Sequence, residues 1–167
     1  MWKEMEIGQF GENVFSLIHE QWMLVSAGSG ARVNTMTASW GSLGVLWNRP
    51  AATCYIRPQR YTREFLDNNE YFTLSFFTPD YKPQLALCGS KSGREVDKVK
   101  ECGFTVLRGE GDAPYFDQAR LVMVCRKLLV QQMEAEKIPE AIRQEQYPGE
   151  DYHYLYIGEI RQLLCKE

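Results

Sequence analysis

The chain has 167 residues, with 19 Lys and Arg against 22 Asp and Glu, for a formal net charge of −3. Hydrophobic residues at 44% and charged residues at 25% are the proportions of an ordinary folded domain, and they exclude intrinsic disorder, which needs low hydrophobicity and high net charge. An isoelectric point near 5.5 gives no overall attraction for phosphate backbones, so no nucleic-acid footprint is expected.

Segments with strand character dominate the first half. Asn13 to Ile18, Met23 to Ala27, Val33 to Trp40 and Ala52 to Arg57 are short, rich in β-branched and aromatic residues, and separated by Gly, Asn or Pro. Gly28-Ser29-Gly30 reads as a tight connection. A short helix is expected from Tyr61-Thr62 to Asn68-Asn69, with Thr62 as its cap, Glu64 in its first turn, and Phe65 and Leu66 on its buried side. Tyr71 to Phe77 reads as a strand and Asp80 to Cys88 as a second helix. The run Gly89-Ser90-Lys91-Ser92-Gly93 interrupts it. Arg94 to Cys102 is helical in charge pattern and stops at Gly103. Ala119 to Met133 is a long strand, Pro139 opens a helix to about Tyr147, and Tyr152 to Ile160 closes the sheet. Six or seven strands with inserted short helices predict a closed or partly closed antiparallel barrel. No repeat, low-complexity tract or linker divides the sequence, so residues 1–167 read as a single domain.

Cys54, Cys88, Cys102, Cys125 and Cys165 form no CxxC or CxH pattern, which argues against a zinc site and a thioredoxin-like dithiol. Their low density fits a reduced, cytoplasmic compartment. The N-terminus lacks a basic start followed by an apolar run, and Arg126 and Lys127 break the most apolar stretch, so neither a signal peptide nor a membrane span is expected. His19 and His153 have no metal-ligand spacing to other His, Cys or carboxylates.

Three segments invite a ligand. Asn34-Thr35-Met36-Thr37-Ala38-Ser39-Trp40-Gly41 is unusually polar for a strand. It fits a half-solvated strand, or a surface offering hydroxyls and N–H groups to a planar polar ligand with Trp40 against its rings. Arg57-Pro58-Gln59-Arg60-Tyr61-Thr62 lies where a strand runs into a helix, and Tyr55 to Phe65 carries three arginines against one glutamate. It fits a solvated basic turn or a phosphate site. Gly89-Ser90-Lys91-Ser92-Gly93-Arg94 fits a polar loop or an anion nest, and it is not a Walker loop. His153, between Tyr152 and Tyr154, reads as a surface imidazole at a strand end or as a functional group. Between Gln131 and Asp151 stand six carboxylates and two cations, the mark of a solvated face or a lid.

In these segments the sequence resembles the flavin reductase-like family of FMN-binding split-barrel proteins, which includes flavoredoxin. The matching stretches are NTMTASWG at 34–41, RPQRYTREFL at 57–66, CGSKSGREVDK at 88–98 and YIGEI at 156–160. The resemblance spans nearly the whole chain. It implies a mainly β fold with short helices, an FMN-binding split β-barrel, and a homodimer with FMN near the subunit interface. It places Asn34, Thr35, Met36, Thr37, Ala38, Ser39 and Trp40 along the isoalloxazine and ribityl portions. Arg57, Tyr61 and Thr62, with Ser90, Lys91 and Ser92, would hold the phosphate. His153 matches the family's C-terminal His loosely, as a catalytic group near the flavin or the nicotinamide. The acidic segment 131–151 matches no family motif; it would cover the flavin or extend the dimer surface.

The implied function is an NAD(P)H-dependent flavin reductase, with hydride transfer to flavin N5. The alternative is an FMN-carrying electron-transfer protein reduced by a protein partner. Either way the flavin carries the redox chemistry, consistent with a sequence that shows neither a nucleophile elbow nor an acid/base pair.

Overall fold

The structure, a computed structural model, describes residues 1–167. Its main sheet has eight strands. These are β1 (Trp2–Glu4), β2 (Met23–Ser29), β3 (Arg32–Ala38), β4 (Gly41–Leu46), β5 (Arg49–Ile56), β6 (Tyr71–Phe76), β9 (Leu121–Gln132) and β10 (Tyr154–Lys166). A separate hairpin is made by β7 (Val106–Arg108) and β8 (Pro114–Phe116). The helices are α1 (Thr62–Asn68), α2 (Lys82–Ser90), α3 (Lys98–Glu101) and α4 (Glu140–Gln146). All pairings are antiparallel, in the order β3-β2-β6-β9-β10-β5-β4, with β1 added on β10.

Alternation along the central strands creates two cores. On β2, Met23, Val25 and Ala27 face one core while Leu24 faces the other. On β9, Leu121, Met123 and Cys125 divide from Val122 and Val124 in the same way. The first core fills the barrel with Leu17, Ile56, Leu66, Phe72, Leu74, Phe76 and Tyr156. The second lies under α2 and the β7–β8 hairpin and is built on Phe77, Leu85, Phe104 and Phe116. Both faces of β2 are therefore covered, which is why it reads as a nearly continuous apolar run. The β2–β3 hairpin requires its glycine: Gly28 has φ +133°, and a Cβ there would lie 2.0 Å from the Arg32 carbonyl oxygen.

The mainly β class with short helices stands. Several details differ from the sequence reading. Asn13 to Ile18 is not a strand but leads into a helical turn at Ser16–Glu20. Asn13 Oδ1 accepts the N–H groups of Phe15 and Ser16 at 3.0 and 3.2 Å, so an N-cap overrides the β-branched composition. Thr62 does not cap α1. Tyr61 holds that position without a side-chain bond, and Thr62 lies inside the first turn. The helix expected over Arg94 to Cys102 shrinks to α3, capped by Asp97 and ended by Gly103 at φ +66°. The strand expected to run to Trp40 stops at Ala38, and Gly41–Leu46 forms a further strand whose largely exposed pattern hid it.

Candidate functional site

β3 and β4 are the two ends of the sheet path, yet only Ser39 and Trp40 separate them in the chain. They do not pair, so the sheet splits at this bend. A cleft of 270 Å³ opens there, lined by Met36, Thr37, Ala38, Ser39, Trp40, Tyr55, Arg57, Arg60 and His153. An apolar cavity of 610 Å³ adjoins it and shares Ser39, Trp40 and Tyr55. A third groove, of 620 Å³, passes Asn34, Tyr61, Gly93, Arg94 and Lys98.

The polar segment 34–40 divides along its length. Thr35 points inward, with its hydroxyl 2.8 Å from the Ser26 hydroxyl and 3.2 Å from the Val25 carbonyl. Asn34 is also buried and donates to Thr62 Oγ1 at 2.9 Å. Gly93 packs so closely on Asn34 that a Cβ there would lie 2.1 Å from Oδ1. These two side chains lock β3 to α1 and to the loop after α2. Thr37 donates to the Leu85 carbonyl at 2.5 Å, fixing β3 against α2. Met36, Ala38, Ser39 and the 41%-exposed Trp40 remain along the cleft. β3 pairs only with β2, so its outer edge offers backbone groups. The Thr35 carbonyl accepts from Lys98 on that edge, and the two-residue period puts the Thr37 backbone on the same side.

Two cationic corners lie at the cleft, one at Arg57 and His153 and one at Arg60, which is backed by Lys98 of the basic groove. In the first, Arg57 Nη1 lies 2.8 Å from Asp151 Oδ1, and Nη2 donates to the Gln146 carbonyl at 3.1 Å. Its guanidinium stacks 5.2 Å from the Tyr147 ring centroid. Gln59 donates to the other Asp151 oxygen at 2.9 Å. His153 completes this corner and is buried, contrary to the surface reading. The Tyr147 hydroxyl lies 2.7 Å from its Nδ1, and the Trp40 ring lies 5.3 Å away. Burial, and then the Arg57 charge, push the His153 pKa down to about 4. The imidazole is neutral at pH 7.

In the second corner, Arg60 donates to the Gly89 carbonyl at 2.9 Å and to the Cys88 carbonyl at 3.4 Å. Lys98 is 4% exposed and donates to the Thr35 and Cys88 carbonyls, each at 2.8 Å. Neither cation meets a carboxylate. Burial, and then repulsion from Arg60, bring the Lys98 pKa down to about 8. Burial likewise lowers the Arg60 pKa. Two desolvated cations held only by carbonyl dipoles leave net positive charge awaiting an anion.

Tyr61 packs edge-on against Phe65 and carries the Arg94 guanidinium over its ring at 4.5 Å. Arg94 is paired with Glu64. Ser90 and Lys91 are exposed at the end of α2, and Ser92 Oγ accepts the Arg94 N–H at 3.1 Å. The structure thus gathers Met36 to Trp40, Arg57 and His153 around one cleft. Asn34 and Tyr61 line the separate basic groove, and Thr62 lies buried beneath it against Asn34. Arg60 and Lys98 were not among the residues singled out from the sequence as ligands, although both fall inside quoted motifs. No group of three or more His, Cys, Asp or Glu side chains is arranged to hold a metal, and no helix is long and apolar enough to cross a membrane.

Flavoredoxin from Methanosarcina acetivorans superposes with a TM-score of 0.69 at 26% identity, covering 88% of this chain and 69% of that one. An FMN-binding domain of a flavin reductase-like enzyme from Shewanella baltica OS155 gives 0.70 at 23% identity, over 99% and 77%. A protein from Shewanella frigidimarina NCIMB 400 described as having a split barrel domain gives 0.69 at 16% identity, over 88% and 67%, and shares the fold. No curated protein matched the sequence. The model of the flavin reductase like domain matches residues 15–167, and the chain belongs to that family.

Proposed function

We propose that the chain is an FMN-binding oxidoreductase, acting as an NAD(P)H-dependent flavin reductase, with residues 1–167 working as one domain. The observation that carries this reading is the pair Arg60, on the wall of the cleft, and Lys98, on the basic groove, two cations without a carboxylate that share the Cys88 carbonyl. That donor set fits a flavin phosphate: a dianion would gain two charge-assisted partners and relieve two desolvated charges. Lys91, Ser90 and Ser92 at the end of α2 add a cation and two hydroxyls near the same carbonyls. Arg57 has a more indirect part, holding segment 146–151 against the cleft through Asp151 and the Gln146 carbonyl.

FMN, when bound, supplies a carrier that accepts a hydride at N5 and passes electrons on. The chain's own residues bind and orient it. Trp40 gives a flat apolar surface at the split, next to Tyr55. The outward backbone of Thr37 offers an N–H donor that would hold the pyrimidine edge of the flavin. His153, neutral and tied to Tyr147, positions Trp40 and the cleft wall and does not act as a cation at pH 7.

The likeness to flavoredoxin favours a second reading, an FMN-carrying electron-transfer protein reduced by a protein partner. Another neighbour, an NADH:FAD oxidoreductase from Streptomyces globisporus C-1027 in complex with NAD and FAD fragments, favours the first. We further infer a cytoplasmic homodimer in which the apolar cavity beside Trp40, lined by exposed Phe15 and with exposed Val45 on the same strand as Leu43, meets a second copy. The test is titration of the purified chain with FMN by flavin fluorescence, followed by NADH and NADPH oxidation. Quenching with micromolar or tighter affinity and turnover with either nicotinamide is expected. Quenching without turnover selects the electron-transfer reading, and no quenching overturns both.

A further inference from the structure

All five cysteines are free thiols. Cys54 and Cys125 are fully buried in the barrel core, and Cys165 lies partly covered on β10. Cys88 and Cys102 differ from these. Their sulfurs lie 3.7 Å apart, although they come from different helical segments. Cys88 is fully buried in α2, while Cys102 caps α3 and is only partly covered. A disulfide needs about 2.05 Å between sulfurs, so a small shift of one segment closes the gap. α3 is a single turn between the Asp97 cap and Gly103, which makes it the element that can move.

We propose that Cys88 and Cys102 are an oxidation site for peroxides, and that the disulfide formed there weakens the grip on the flavin phosphate. The second half rests on the flavin reading above. The coupling is structural. The Cys88 carbonyl accepts from both Arg60 and Lys98, and the Lys98 carbonyl accepts the Cys102 N–H at 3.0 Å. Drawing the two sulfurs together displaces the backbone of Cys88 or the helix that carries Lys98. The first movement changes the geometry of both cations, and the second changes that of Lys98.

The chemistry balances with a peroxide as oxidant. The Cys102 thiolate attacks one peroxide oxygen, the O–O bond breaks, and a sulfenic acid and hydroxide result. The Cys88 sulfur then displaces the hydroxyl from Cys102 sulfur, forming the S–S bond and releasing a second hydroxide, and the two thiol protons convert both hydroxides to water. Two thiols and one hydrogen peroxide give one disulfide and two waters, with two electrons passing from sulfur to oxygen. Burial raises the pKa of Cys102, and burial together with Cys102 raises that of Cys88 to about 12. The reaction is therefore slow at neutral pH and speeds up in alkaline buffer, because the thiolate is the reacting form.

The test uses the full chain, reduced and then treated with hydrogen peroxide at mildly alkaline pH. Intact mass and non-reducing peptide mapping read the bond, and FMN titration reads its effect. The expected result is a loss of two hydrogens, a peptide joining Cys88 to Cys102, and an FMN dissociation constant raised about tenfold. Dithiothreitol restores both. Cys102→Ser should bind FMN like the reduced protein and ignore peroxide. Over-oxidation of Cys102 without a cross-link overturns the site. A cross-link with unchanged FMN affinity, or a peroxide effect that persists in Cys102→Ser, overturns the coupling. If the reduced protein does not bind FMN, the flavin reading fails and the coupling with it, while the peptide map still decides the oxidation site.

Discussion

Arg57 and Arg60 belong to one short motif, yet they live in different electrostatic worlds. Arg57 has a carboxylate at 2.8 Å, a carbonyl and a tyrosine face. Arg60 has only carbonyl oxygens, and its neighbour Lys98 has the same. A cation already paired with a carboxylate presents little field to an arriving anion. A cation held by dipoles in a region of low dielectric keeps its charge and its reach. The residue type therefore says less about phosphate binding than the partner does. The corner with unbalanced charge, Arg60 and Lys98, is the one built for an anion.

The largest expected effect breaks that corner. Arg60→Met combined with Lys98→Met should raise the FMN dissociation constant about 100-fold or more, at roughly 1.5–3 kcal/mol for each charge-assisted bond. Thermal melts run alongside separate binding loss from unfolding, because the Thr35 and Cys88 carbonyls lose a donor. A folded double variant with unchanged FMN affinity would remove the basis of the comparison.

The next effect lies in the other corner and concerns stability. His153 has a folded pKa of about 4 against an ordinary 6.5, with burial as the main cause. The unfolded chain binds the proton more readily, so stability is intact above pH 6.5 and falls as pH drops towards 4. The full drop is about 3–4 kcal/mol from linkage. His153→Asn should flatten this part of the profile in melts at stepped pH. An unchanged acid limb would show that another group sets it.

Lys98 gives a pH signature of the opposite reach. Its folded pKa of about 8 lies below the ordinary value near 10.5, so above pH 8 it loses the charge that the phosphate needs. FMN affinity should fall by up to about tenfold per pH unit there, until the pKa of the bound form is passed. Stability of the flavin-free chain should rise over the same range, since its unfolded state holds the proton longer. Lys98→Arg keeps its charge and should give a flat binding curve. A wild-type curve already flat from pH 7 to 10 would take Lys98 out of the site.

Much of this was legible in the sequence, for physical reasons. Alternation and β-branched runs located β2, β5, β6 and β9, because those strands bury one or two faces. The polar run at 34–40 stood out as a half-solvated strand or ligand surface, and the sheet splits at its end. Asn13 to Ile18 misled, since one side-chain cap outweighed composition. Gly41–Leu46 was missed because an edge strand with exposed Val45 has no periodic signal. The difference between Arg57 and Arg60 was out of reach. It depends on Asp151 folding back to Arg57 across nearly a hundred residues of chain, and no local pattern encodes that contact. The burial of His153 follows from the same return of segment 146–151.

The smallest effect tests the comparison from its quieter side. The Arg57–Asp151 pair is about a quarter exposed on each partner, so it contributes about 1 kcal/mol or less. Arg57→Met should change FMN affinity by no more than about threefold, with the main consequence a looser segment 146–151 and faster proteolysis there. Asp151→Asn is the more telling substitution. It leaves Gln59 a neutral acceptor, keeps the shape, and frees the guanidinium beside the cleft. If pairing is what silences Arg57, this variant should tighten FMN about threefold, by restoring a cation at the rim. Unchanged affinity would place Arg57 beyond the reach of the phosphate even when unpaired. A loss as large as that of the Arg60 and Lys98 variant, in either substitution, would show that both corners hold the same anion.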